Sequence, residues 1–216
     1  MSLDQELLAQ VTRLLEAASD EDQSGPRLGP EAQRLWERIR CFMRMGLGGR
    51  QLDKPSLELC CYALQLPRSG SPGKARTRPN LRQRCEQAAE MFVSLLGDQM
   101  DEKILDRVSR LLLETPQRSP MLDEARLLAD AVNLDDFGIV GLLALAGQLA
   151  IAGASVADVA LALKKREAYG YWEARLKDGF HFEPVARLAR RRLEEARKVG
   201  ALLQAELAED RLDEKT

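Results

Sequence analysis

Histidine is almost missing from this chain. His181 is the one histidine in 216 residues, which excludes mechanisms built on a histidine pair, a histidine metal cluster or a His-x-x-x-His helix. Cysteine is scarce too: Cys41, Cys60, Cys61 and Cys85 form no Cys-x-x-Cys pair, so a structural zinc site is not expected and free thiols are. Only 5% of residues are aromatic and no segment sustains period-two alternation, while Leu, Ala, Glu and Arg dominate. Those shortages remove the sheet classes and leave an all-α fold. Net charge is also nearly missing. A balance of −2 with 45% hydrophobic residues argues against disorder and, with only two tryptophans, against a general nucleic-acid binder. No apolar run stands behind a basic start, so no secretory signal is expected and the expected location is cytoplasmic.

What is present is helical punctuation. Leu3, Leu7, Leu8, Val11, Leu14, Leu15 and Ala18 make one apolar stripe at helical spacing, followed by an acidic and then Gly/Pro-containing connector. Further helices are expected at about 30–45, 53–65, 81–96, 101–114, 121–133, 136–152, 156–168 and 183–209. Asp53 should cap the second of these, and Ser155 with Asp158 should form a capping box. The uncharged stretch 137–157 has the length of a membrane span, but its glycines and that capping box break it into two helices, so no membrane partner is expected.

Residues 67–84 read PRSGSPGKARTRPNLRQR, five arginines and one lysine without an acid. This is the one segment with a strong local field. Its arginines offer forked donors matched to phosphate oxygens, which makes Arg68, Arg76, Arg78, Arg82 and Arg84 candidate anion binders; a solubilising loop is the plainer reading.

Residues 125–142 read ARLLADAVNLDDFGIVGL, with Asp130, Ala131, Leu134, Asp135 and Gly138 falling on a Leu-x-Asp-Ala-Asp-x-Leu-Asp-x-x-Gly pattern. This resembles the last metal-ligand helix of the HD-domain metal-dependent phosphohydrolases. PEAQRLWERIRCFMR at 30–44 is similar to that family's first core helix, LELCCYALQ at 57–65 to its His-Asp helix, and 171–206 to the tail of one subgroup. The resemblance implies an HD-like helical bundle over residues 28–216 with a long C-terminal helical extension. Residues 1–27 would add an N-terminal helix and linker.

The family holds a divalent metal through a first histidine, a His-Asp dyad and a distant aspartate, and uses it to activate water against a phosphoester. Here the first histidine aligns near Glu31, the dyad with Leu64 and Gln65, and a further histidine near Glu114; only Asp130 is retained. Leucine cannot coordinate and a neutral amide coordinates poorly, so no metal or other cofactor is expected. Asp130, Glu31, Gln65 and Glu114 are thus candidates for a vestigial pocket, with no catalytic residue expected among them. Plainer readings stand beside these. Asp130 could serve a structural ion pair, Glu31 a helix dipole, Asp135 and Asp136 a helix cap, and His181 a turn. The expected function is a degenerate domain, a pseudoenzyme that binds a phosphate-bearing small molecule or a protein partner. One alternative is an active phosphohydrolase whose metal site is rebuilt from Glu31, Glu114 and Asp130. The other is a helical interaction protein with no HD relationship.

Overall fold

The computed structural model describes residues 9–11, 13, 28–68 and 80–209. Every regular element among them is an α-helix or a short 3-10 turn, and the α-helices take up well over half of the chain. Most of the expected first helix lies outside the described residues. Of its stripe, Val11 is buried, and the side-chain amide of the adjacent Gln10 donates to that of Gln99. The chain folds as two compact units, the first ending at Ala131 and the second beginning at Val132.

The first unit holds α1 (Leu28–Arg44), α2 (Lys54–Ala63), a 3-10 turn (Leu66–Arg68), α3 (Leu81–Leu96), α4 (Glu102–Glu114) and most of α5 (Asp123–Asn133). On α1, Ala32, Leu35, Ile39 and Phe42 recur at helical spacing and are all buried. Each large side chain so buried contributes about 1.5–3 kcal/mol. On α4, Leu105, Val108, Leu111 and Leu112 do the same, and α4 packs against both α2 and α3. The helix starts are written in the sequence. Asp53 accepts from Ser56 N at 3.2 Å, and Asn80 and Gln83 form a reciprocal capping box that begins α3.

The second unit holds the end of α5, a 3-10 turn (Leu134–Asp136), α6 (Gly138–Ile151), α7 (Val156–Ala168), α8 (Tyr171–Asp178) and the 27-residue α9 (Glu183–Glu209). Its interior joins α6 to α9 and an aromatic group in which Phe137 meets Trp172 and Phe180, both at 5.4 Å between ring centroids. The capping box at α7 forms as expected, with Ser155 N donating to Asp158 Oδ2 at 2.8 Å. Helix α6 ends at Ile151, and no single helix among the described residues is long and apolar enough to cross a membrane.

The start of α6 corrects the sequence reading. Phe137, and neither Asp135 nor Asp136, is its N-cap residue, and the Phe137 side chain makes no capping bond. Gly138 turns the chain instead, at φ +82°, and a Cβ there would meet Arg192 at 3.1 Å. One turn on, a Cβ at Gly141 would stand 2.2 Å from the carbonyl oxygen of Asp136. The chain thus reverses so tightly that only glycine fits at either position.

Candidate functional site

The resemblance sets the expected dyad position at Leu64 and Gln65, where α2 runs out into a turn. Both residues are buried. Leu64 closes the helix with its backbone N–H on Cys60 O, and the Gln65 amide donates back to Cys61 O at 3.2 Å. Into this turn reaches Arg84 from the first turn of α3. Its Nε donates to the Leu64 carbonyl at 3.0 Å and its Nη2 to Gln65 Oε1 at 3.4 Å, and the whole residue is only 8% exposed. Among cationic side chains a guanidinium suits such burial best, because its delocalised charge is weakly hydrated and its planar fork satisfies two acceptors at once.

Asp130 on α5 is completely buried, flanked in sequence by the buried Leu127, Leu128, Ala129 and Ala131. One residue on, the Ala131 carbonyl accepts from Arg38 Nη1 of α1 at 2.6 Å. Glu31 sits in the first turn of α1, where the helix dipole favours an acid, and pairs with Arg34 at 2.8 Å. Glu114, nearly buried at the end of α4, does a structural task. Its carboxylate accepts from Arg110 Nε at 3.0 Å and from the backbone N–H groups of Met121 and Leu122 at 3.0 and 3.1 Å. Burial pushes its carboxyl up, but those hydrogen bonds, Arg110's first, outweigh it and hold the group below the ordinary range.

A metal therefore does not suit these residues. Leu64 offers no side-chain donor atom, the oxygen of Gln65 is a neutral amide already accepting from a cation, and among the described residues no three of His, Cys, Asp and Glu are grouped to hold an ion. Among the described residues Glu31, Glu114 and Asp130 form no group that could hold an ion. His181 lies in the bend between α8 and α9, in keeping with a turn residue.

Of the five arginines expected to meet anions, Arg76 and Arg78 lie outside the described residues, and Arg68 ends the 3-10 turn after α2. Arg82 is exposed on α3, whereas Arg84 turns inward as described. Sequence reasoning missed two constellations. In the first unit Glu124, buried in the opening turn of α5, accepts from Asp53 N at 2.8 Å and from Arg107 Nη2 at 2.9 Å. In the second, Arg175 of α8 bridges Asn133 and Asp136, and Asn133 donates to Gly179 O at 2.6 Å. The only local sign of either was acids in the first turn of α5 and a polar residue at its end. An apolar groove in the second unit, between α7, α8 and α9, is lined by Leu163, Trp172, Leu193 and Gly200 and contains none of the expected site residues.

No protein-family model matches this sequence, and no curated protein does. Comparison of folds is more telling. The chain is similar to Bacillus subtilis YpgQ, an HD-domain protein solved in complex with ADP, at 15% identity and a TM-score of 0.59, covering 92% of this chain and 96% of that one. The fold is HD-domain-like. At that identity the likeness carries the architecture alone, all-α with a long C-terminal helix.

Proposed function

We propose that this chain is a catalytically degenerate HD-like domain that binds a phosphate-bearing small molecule and does not hydrolyse it. The observation that carries the reading is the turn at Leu64 and Gln65, where a buried guanidinium takes up the oxygens facing it. Without a metal to polarise the phosphoryl group and prepare the attacking water, electrostatic attraction favours ground state and transition state alike and confers no rate. Binding is the function left. Its support is twofold: the HD-domain protein of similar fold was solved with ADP, and 67–84 carries five arginines and a lysine with no acid, a charge that would focus anions. The chain would work in the cytoplasm as a regulatory or interaction module, with Arg68, Arg76, Arg78 and Arg82 meeting phosphate oxygens.

A nucleotide panel with the purified chain, in Mg²⁺, Mn²⁺ or Ni²⁺, tests the absence of turnover. No phosphate or pyrophosphate release above buffer is expected in any of them. Release that depends on metal and disappears in Asp130→Ala would overturn the reading. A chain with Arg76→Ser and Arg78→Ser should bind nucleotide more weakly and with less salt dependence, since each lost guanidinium removes a forked donor.

A further inference from the structure

The metal that the HD-like fold implies and the residues at the dyad position disagree, and the disagreement has a specific cause. We infer that the Arg84 guanidinium is the resident cation of this position, and that it is what bars a divalent ion from the turn at Leu64 and Gln65. The inference rests on the degenerate reading above and adds a cause to it.

Three observations converge. Arg84 is buried in the same unit as Leu64, Gln65 and Asp130, so its charge is not shared with bulk water. Two of its nitrogens donate to two oxygens that the turn presents, Leu64 O and Gln65 Oε1. And α3 is pinned at its first turn by the Asn80–Gln83 box, so the arginine one residue later has a fixed point of departure. A divalent cation entering here would have to displace a donor from both oxygens and sit within a few ångströms of a fixed positive charge. Like charges that close repel strongly in a buried setting, even at an effective dielectric of about 20. The ligand residues lost at Leu64 and Gln65 are therefore half of the change; the arriving cation is the other half.

Two accounts that the sequence leaves together now part. If only the ligands were missing, restoring them would restore metal binding. If Arg84 excludes the ion, restoring them does nothing until the guanidinium is removed.

The experiment uses the full chain in three forms: unaltered, Leu64→His with Gln65→Asp, and those two together with Arg84→Gln. Glutamine keeps an amide N–H for the Leu64 carbonyl while discarding the charge; Arg84→Met serves as a second neutral form should that variant not fold. Each folded form is titrated with Mn²⁺ and followed by electron paramagnetic resonance of free Mn²⁺ and by thermal melting. The expected result is that the two-residue form leaves the free Mn²⁺ signal undiminished, as the unaltered chain does, while the three-residue form sequesters the ion. Its melting midpoint should also rise, by roughly 5 °C or more at 100 times the dissociation constant. Equal Mn²⁺ binding with and without Arg84 overturns the inference, and so does a three-residue form that folds and stays silent. Neither of those results touches the degenerate reading, which fails instead if the unaltered chain binds Mn²⁺ and releases phosphate.

Discussion

Asp136 and Arg175 meet at 2.7 Å in the second unit, and the same guanidinium nitrogen donates to Asn133 Oδ1 at 2.8 Å. Through Arg175, Asn133 and Asp136 tie α8 to the end of α5. Arg175→Met should remove both bonds while the Tyr171 hydroxyl still donates to Asp136 Oδ2 at 3.5 Å. Because Arg175 and Asp136 are both partly exposed, solvent replaces some of what is lost, and the cost should be about 1–2 kcal/mol. Urea unfolding followed by circular dichroism checks it, and an unchanged midpoint would make the bridge ornamental.

Glu114 predicts a pH dependence with a definite sign. Its folded carboxyl titrates below its ordinary value of 4.5, so the carboxylate's contribution is fully present above that value and is lost as pH falls through the lower, folded one. Glu114→Gln should cost about 1–2 kcal/mol at pH 7, since a neutral amide accepts more weakly from Met121, Leu122 and Arg110. The gap between the two chains should close below pH 4.5. A gap that widens on acidification would refute the assignment.

The cysteines should divide sharply in reactivity. Cys60, Cys61 and Cys85 are buried, and burial pushes their thiols up, that of Cys85 to about 12; Cys41 is exposed on α1. A thiol so far from ionisation is a poor nucleophile at neutral pH. An aromatic disulfide reagent should titrate one thiol quickly in the native chain, all four after denaturation, and none quickly in Cys41→Ser.

Two glycines of α6 should respond oppositely to alanine. A Cβ at Gly141 would press on the Asp136 carbonyl, and relieving it requires a backbone shift of the kind that costs about 1–3 kcal/mol. At Gly147, exposed and mid-helix, a Cβ meets nothing within 4 Å. Gly147→Ala should therefore stabilise by about 0.5–1 kcal/mol. Thermal melts of the two variants on opposite sides of the parent's midpoint would bear out the tight turn.

The helices are readable because their signals are local. Asn80 precedes α3, Asp53 precedes α2 and Ser155 with Asp158 opens α7, each within one turn of the boundary it sets. What lies hidden depends on residues distant in the chain. Asp136 reads as a cap until Arg175, 39 residues later, is seen beside it. Residues 171–178 carry an aromatic pair and mixed charges with no apolar stripe, so α8 gives no signal of its own before α9; its Trp172 is held by Phe137 from outside the helix. Arg84 shares a run of basic residues with Arg82, and nothing in that run distinguishes the one that turns inward from the one that faces water. The pattern around Asp130 is legible in part because Gly138 and Gly141 stand where the backbone geometry admits only glycine.

The central claim, binding of a phosphate-bearing ligand without a metal, is tested most directly by calorimetric titration of ADP into the full chain. Parallel runs in excess EDTA and in millimolar Mn²⁺ should give the same dissociation constant within about twofold, weakening together as salt is raised. Binding seen only with Mn²⁺, or strengthened by it about tenfold or more, would mean that the metal belongs to the site and would contradict the account.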